Sequence, residues 1–410
     1  MNRIYSVLFT IISLLGGFFI VQFIRVFYPL IQLHIANVQT KISFWIIVFI
    51  SIVTSMGFLI LKKWIYTYRK KLTMFAVALA IGLASVELAL YLFYSKPMRF
   101  SPHPYLNYTG TPNYRSEDGL NMHNSMGFRG PEIEMPKPKG RIRIAILGGS
   151  TTYEDYVKDW HLDFARQLER ELLASLPGSD IEVINAGLPG WDSWEDLINF
   201  EFRLLDLDID MIIVYEGTND VHTRLVRPDS YRADNKGSKK QWERKPCMDL
   251  LCLRIVQLIT GLDAYGFDIA AKSAALYPLT NEYNRVLGMT PMEALEKNPP
   301  IYSERNLRNI VAVAREHKID VLLATWAWSN VHGDYAATEH YQLGFSEQNE
   351  MVKAVGKRDN VRVYDFAEDM PKDIQYWGDG RHNTREGIAL KSRLFAKYII
   401  DQKMIGEKNE

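Results

Sequence analysis

Three charge-poor apolar stretches, residues 4–24, 42–61 and 72–94, dominate the first quarter of this 410-residue chain. Each is close to the ~20 residues a helix needs to cross a bilayer, so the sequence predicts three transmembrane helices within residues 1–94. A cleaved signal peptide is the alternative for the first, but Arg25 follows it directly, no small-residue cleavage site is evident, and two further stretches come after it. Lys62, Lys63, Arg69, Lys70 and Lys71 lie between the second and third stretches, against only Arg25 and Lys41 between the first and second. The more basic loop belongs in the cytoplasm. The expected protein is therefore integral to the membrane (the cytoplasmic membrane if bacterial), with a cytoplasmic N-terminus and an extracytoplasmic domain after residue 94. Glu87 is the one carboxylate in a span; an intramembrane acid is a functional suspect by default, but its place toward the outer end favours reaching the interface or pairing with a neighbouring span.

Residues 95–140 turn rich in Pro, Tyr, Asn and Gly and read as an extended connector. The connector is longer than a tether requires. Part of it, above all NSMGFRG at 124–130, is expected to pack on the domain that follows. Lys+Arg and Asp+Glu are balanced at 48 each, and without a basic block in the later chain a nucleic-acid partner is not expected. Cys247 and Cys252 are too few for a disulfide framework and lack the companions of a zinc site. They either pair in an oxidising compartment or remain partly buried thiols.

From residue 141 onward short apolar runs alternate with helical patterns. RIAIL at 143–147, IEVI at 181–184, MIIVY at 211–215, VLLAT at 321–325 and VRVYDF at 361–366 read as buried strands. Between them, Asp192 and Ser193 with acids three residues on mark a helix start, with Trp194, Leu197, Ile198, Phe202 and Leu205 on one face. Further helices are expected at 306–317 and 385–400. Alternating strands and helices predict an α/β fold, a doubly wound three-layer parallel sheet of flavodoxin-like kind, over residues 141–410. Residues 222–300 exceed one crossover and read as a helical insertion that forms a lid or substrate wall.

Ligands of an open α/β sheet bind beyond the carboxyl ends of its strands. There this sequence places Gly148-Gly149-Ser150-Thr151, Asn185-Ala186-Gly187, Glu216-Gly217-Thr218-Asn219-Asp220 and Asp379-Gly380-Arg381-His382. The order Ser, Gly, Asn, then Asp-x-x-His resembles the SGNH hydrolase superfamily, also called GDSL esterases and lipases, from about residue 141 to the C-terminus. The family's first block usually reads Gly-Asp-Ser; here Gly149 stands at the Asp position, similar to a Gly-Gly-Ser-Thr variant. The resemblance implies Ser150 as nucleophile, His382 as general base and Asp379 as the group that orients the imidazole. It implies an oxyanion hole built from the Ser150 amide, the Gly187 amide and the Asn219 side chain. It requires no metal and no organic cofactor.

Each residue also has a plain structural explanation. Ser150 alone reads as a helix N-cap, Asn219 and Asp220 as turn residues, and His382 with Asn383 and Glu386 as ordinary capping. Four such placements in one order at strand ends outweigh those readings. Trp191, Trp194, Trp326 and Trp328 read as core before pocket, and His222 as a surface loop histidine. The expected function is a membrane-anchored ester hydrolase that deacylates a glycan or lipid of the cell envelope. An O-acyltransferase with the same serine, served by an acyl-donor partner protein, is the alternative, and a non-enzymatic scaffold is a third. The sequon at Asn107 has meaning only in a glycosylating secretory system.

Overall fold

The computed structural model describes residues 39–93, 99–103, 105–106, 108–229, 231–234, 255 and 289–405. The chain forms two compact units, Met1–Lys96 with Glu243–Ser273, and Pro97–Trp242 with Ala274–Glu410. The expected first span, both cysteines and Asn107 lie outside the described residues.

In the first unit, helix α1, Gln39–Phe93, runs unbroken for 55 residues. Residues 62–71, expected as a loop between two spans, are therefore helical. Their sequence, KKWIYTYRKK, contains no Gly, Pro, Asn or Asp to end a helix, and Lys and Arg are good helix formers. Within α1, the 28-residue segment Tyr66–Phe93 is long and apolar enough, by length and composition, to cross a membrane. At the helical rise it spans about 42 Å, more than a hydrocarbon core of about 30 Å. Its side chains Phe75, Ile81, Leu88 and Tyr91 are exposed. Glu87 accepts a hydrogen bond from the Ile255 amide at 3.1 Å.

The second unit opens with an antiparallel pair, β1 (Phe100–Pro102) and β2 (Tyr108–Gly110). Strand β3, Arg141–Gly148, is followed by the single turn α2, Ser150–Tyr153, and by α3, Phe164–Ser175. Strand β4, Asp180–Asn185, precedes α4, Ser193–Asn199, and β5, Met211–Tyr215, precedes α5, Thr218–Arg224. Helices α6, Pro291–Lys297, and α7, Ile301–Glu316, lead to β6, Asp320–Ala324. Helix α8, Glu339–Asp359, leads to β7, Arg362–Tyr364, and α9, Phe366–Asp369, and α10, Arg385–Asp401, complete the order.

Strands β3 to β7 form one parallel sheet in the order β4-β3-β5-β6-β7. Alternate residues of β3 serve opposite cores. Ile144 and Ile146 pack with Phe164, Leu168 and Phe395, whereas Ala145 and Leu147 pack with Leu307, Ile310 and Val352. That is the expected doubly wound three-layer arrangement. Because the order reverses around β3, the carboxyl ends of β3 and β5 flank the crevice where such sheets bind ligands.

Two expectations about the second unit need correction. The capping box of Asp192 and Glu195 forms, but the buried face of α4 is Ser193, Glu195, Asp196 and Asn199, while Phe202 is 67% exposed. The polar face turns inward because it has partners there: Ser193 Oγ donates to Asp220 at 2.7 Å and Asn199 to the Ala186 carbonyl at 3.1 Å. A π-helical turn at Phe200–Leu204 then shifts the register, so that Phe200 and Leu204 are the buried apolar residues. His222 is not on a surface loop; it is buried in α5, its ring edge-on to Tyr341 at 5.5 Å. Of the expected insertion, α5 and α6 frame its two ends, and most residues between them lie outside the described ones. The segment 124–130 lies in the second unit with Asn124, Phe128 and Arg129 buried.

Ile146 sits fully buried at the centre of β3. Ile146→Ala should lower the stability of the second unit by ~2–5 kcal/mol, read as an earlier midpoint in chemical denaturation; an unchanged midpoint would contradict the packing described.

Candidate active site

The backbone at the end of β3 admits only small residues. Gly148 has φ +150, and a Cβ there would collide with the Tyr215 carbonyl and Thr152. A Cβ on Gly149 would collide with the Asn219 amide and lie 2.7 Å from Glu216 Oε2. Gly149, not Ser150, caps α2, and Ser150 is its first residue. The helix is one turn long and ends at Glu154 in the left-handed region, φ 63. A helix dipole therefore contributes little here, and the free N–H groups of the turn matter instead. Among the described residues no acceptor lies within reach of the Ser150 amide.

Ser150 Oγ is 2.8 Å from His382 Nε2. The other ring nitrogen, Nδ1, is 2.7 Å from Asp379 Oδ2. Asp379 Oδ1 accepts the backbone N–H groups of Arg381 and His382, each at 2.7 Å, which folds the loop around its own carboxylate. The loop is pinned outside as well: Gly380 donates to Asp334 at 2.9 Å, Ser329 donates to the Gly380 carbonyl at 3.0 Å, and Gly378 closes on the His382 carbonyl at 2.8 Å. Burial alone would raise the Asp379 pKa, but the hydrogen bond and charge of His382 and the nearby Arg381 guanidinium outweigh it and hold the carboxyl well below its usual range. A lasting carboxylate on Nδ1 and a hydroxyl on Nε2 is the arrangement that lets an imidazole draw a proton from serine.

Asn219, in the first turn of α5, donates from Nδ2 to the Trp191 carbonyl at 2.6 Å. One N–H of that amide is thereby oriented and the second is left for a ligand. The Gly187 amide is directed elsewhere: it donates to Asn185 Oδ1 at 3.3 Å, and a Cβ at Gly187 would meet Thr152 at 2.6 Å. Three residues on, Gly190 has φ +81, and among the described residues its amide has no acceptor. The structure thus brings together Ser150, His382, Asp379 and Asn219 of the expected set, and among the described residues it is the Gly190 amide, not that of Gly187, that has no acceptor. The Pro189-Gly190 dipeptide, a turn signal with φ > 0 at glycine, was the clue in the sequence. Trp191 and Trp326 are both 1% exposed, core as expected, and Trp326 donates to Thr151 at 3.2 Å.

Behind these residues lie acids to which the sequence assigned no catalytic role. Glu216 Oε1 accepts the amides of Gly217 and Asn219 at 2.8 and 3.3 Å, capping α5 from the preceding strand end. Asp196 is fully buried, with no hydrogen-bond partner for either oxygen among the described residues. Burial, reinforced by neighbouring carboxylates, raises the pKa of both groups well above the ordinary range. No group of three or more His, Cys, Asp or Glu among the described residues is arranged to hold a metal.

The sequence profile of the GDSL-like lipase/acylhydrolase family matches residues 146–390, more than half of the chain. The chain belongs to this family, within the SGNH superfamily. No curated protein matches it. Among solved structures it is similar to the lipase/acylhydrolase from Enterococcus faecalis, at 17% identity over 64% of this chain and 96% of that one, with a TM-score of 0.39. It is similar to a GDSL-like lipase from Bacteroides thetaiotaomicron at 15% identity, over 64% of this chain and 89% of the other, TM-score 0.35. A third similarity is to an acetyl xylan esterase, at 12% identity over 63% of this chain and all of the other, TM-score 0.37.

The raised Asp196 pKa fixes a sign. An acid whose folded pKa exceeds its unfolded one, near 4, contributes stability below that value and loses it as pH rises toward the folded pKa. Asp196→Asn, which cannot ionise, should therefore raise Tm at pH 8 more than at pH 4 and flatten the fall between them. Equal shifts at both pH values would show that Asp196 is ionised in the fold.

Proposed function

We propose that this family member is a membrane-anchored serine ester hydrolase acting outside the cytoplasm on acylated glycans or lipids of the cell envelope. The observation that carries the reading is the unbroken relay from Ser150 Oγ through His382 to Asp379, with distances of 2.8 and 2.7 Å. In the proposed cycle His382 Nε2 takes the Ser150 proton as Oγ bonds to the ester carbonyl carbon. The Ser150 and Gly190 amides and the remaining Asn219 N–H stabilise the resulting oxyanion, in place of the trio with Gly187. His382 then gives its proton to the departing alkoxide. Water, deprotonated by the same nitrogen, attacks the acyl carbonyl and releases the acid and free Ser150.

The membrane placement rests on α1. Arg69, Lys70 and Lys71 stand at the start of the exposed apolar segment that ends at Phe93. Basic residues favour the cytoplasmic face, so a span in this direction delivers the following domain to the opposite side. A covalent tether there keeps the site near the membrane and its glycans, which supports an envelope substrate.

The test is turnover of p-nitrophenyl esters of short and long acyl chains by the full chain in detergent. Ser150→Ala and His382→Ala should each lower kcat by ~10⁴-fold or more. Unchanged hydrolysis in Ser150→Ala would end the proposal. Acyl transfer seen only when oligosaccharide acceptors are added would make the protein an O-acyltransferase instead.

A further inference from the structure

The turn that follows Ser150 is held from outside the family domain. Arg129 belongs to the 124–130 segment, upstream of the family match that begins at residue 146. It is 3% exposed, and its guanidinium serves four backbone carbonyls of the stretch after the nucleophile. Nη1 donates to the carbonyls of Tyr153 and Glu154, the latter at 2.8 Å. Nη2 donates to those of Val157 and Lys158 at 2.7 and 2.8 Å. The cation also lies 4.6 Å over the Tyr153 ring, with its Nε 3.8 Å from the buried Asp163. Asp163 accepts from Asn185 at 2.9 Å, and the same Asn185 nitrogen donates to the Thr152 carbonyl at 3.1 Å.

Glu154 explains why so much is invested in one turn. A non-glycine residue at φ 63 is strained and persists only where its surroundings over-determine it. Here the Glu154 carbonyl is held by Arg129, and its carboxylate is paired with the buried Lys391, which also donates to the Thr151 carbonyl at 2.8 Å. With the chain reversed at Glu154, the one-turn helix ends and Ser150 is left facing His382. Strand β2, also upstream of the family match, props a second loop: Tyr108 donates its hydroxyl to the Pro189 carbonyl and accepts from Trp191 Nε1 at its own carbonyl, 3.2 Å, on either side of Gly190.

We propose that Arg129 is a positioning residue for Ser150, so that the segment before the family domain is a working part of the active site and not a tether. The proposal rests on the serine hydrolase reading. A planar guanidinium presents two pairs of N–H groups to two pairs of carbonyls; a lysine ammonium has the charge without the fork and cannot serve both pairs.

The deciding measurement is the rate at which a fluorophosphonate probe labels Ser150 in the full chain, normalised to the folded fraction from near-UV circular dichroism. Arg129→Lys should slow labelling and kcat by ~10²-fold, the cost of about 1 Å of misplacement, with KM little changed. Added guanidinium should restore much of the rate in Arg129→Ala. Labelling of folded Arg129→Lys at the wild-type rate, or a loss that only tracks unfolding, overturns the proposal and leaves the reading of Ser150 standing. A wild-type chain labelled no faster than Ser150→Ala would instead overturn the serine hydrolase reading itself.

Discussion

Ser150 and His382 are 232 positions apart in sequence, and the 2.8 Å between their side chains is the contact on which the rest of the site depends. It exists because the loops that bear them leave the same end of one parallel sheet. Register fixes that end: Gly148 of β3 pairs with Tyr215 of β5, so the turn bearing Ser150 and the turn bearing Asn219 begin level with each other. The loop bearing His382 has no such register, and is instead folded around Asp379 and pinned to Asp334 and Ser329. Two groups are thus placed by sheet geometry and the third by local hydrogen bonds.

The site is bought with polar burial that stability alone would not favour. Glu216 fills the space that a side chain at position 149 would need, which is a physical reason for glycine there in this chain. Its carboxyl caps α5 and so orients Asn219, while its second oxygen, like both oxygens of Asp196, finds no partner among the described residues. A buried carboxylate in that setting is costly, and the raised pKa values of both acids express the preference for the neutral form. The ends of the sheet carry this strain, and the continuous apolar layers beneath it carry the stability.

Much of this was legible in the residues. Runs such as RIAIL and MIIVY, apolar on both faces and ended by Gly or Glu, announce buried parallel strands, and polar residues just past their ends announce the site. What escaped depended on contacts between distant segments. The inward polar face of α4 follows from Asp220 and Ala186, which no periodicity within the helix reveals. Gly187 and Gly190 both follow β4, and beyond the Pro-Gly turn signal the sequence does not reveal that the Gly187 amide turns to Asn185. Basic residues at 62–71 read as a loop between two apolar stretches, and charge alone does not distinguish a loop from a helix that continues through it. Arg129 looked like one more residue of a connector until its four carbonyl partners were seen.

The most direct measurement of the central claim is mass analysis of the peptide containing Ser150 after rapid quenching of the full chain with p-nitrophenyl acetate. The relay described here predicts one acetyl group on that peptide, formed in a burst and absent from Ser150→Ala. Ester turnover with no acyl group on Ser150 at any time, or an adduct that forms equally well in His382→Ala, would contradict it.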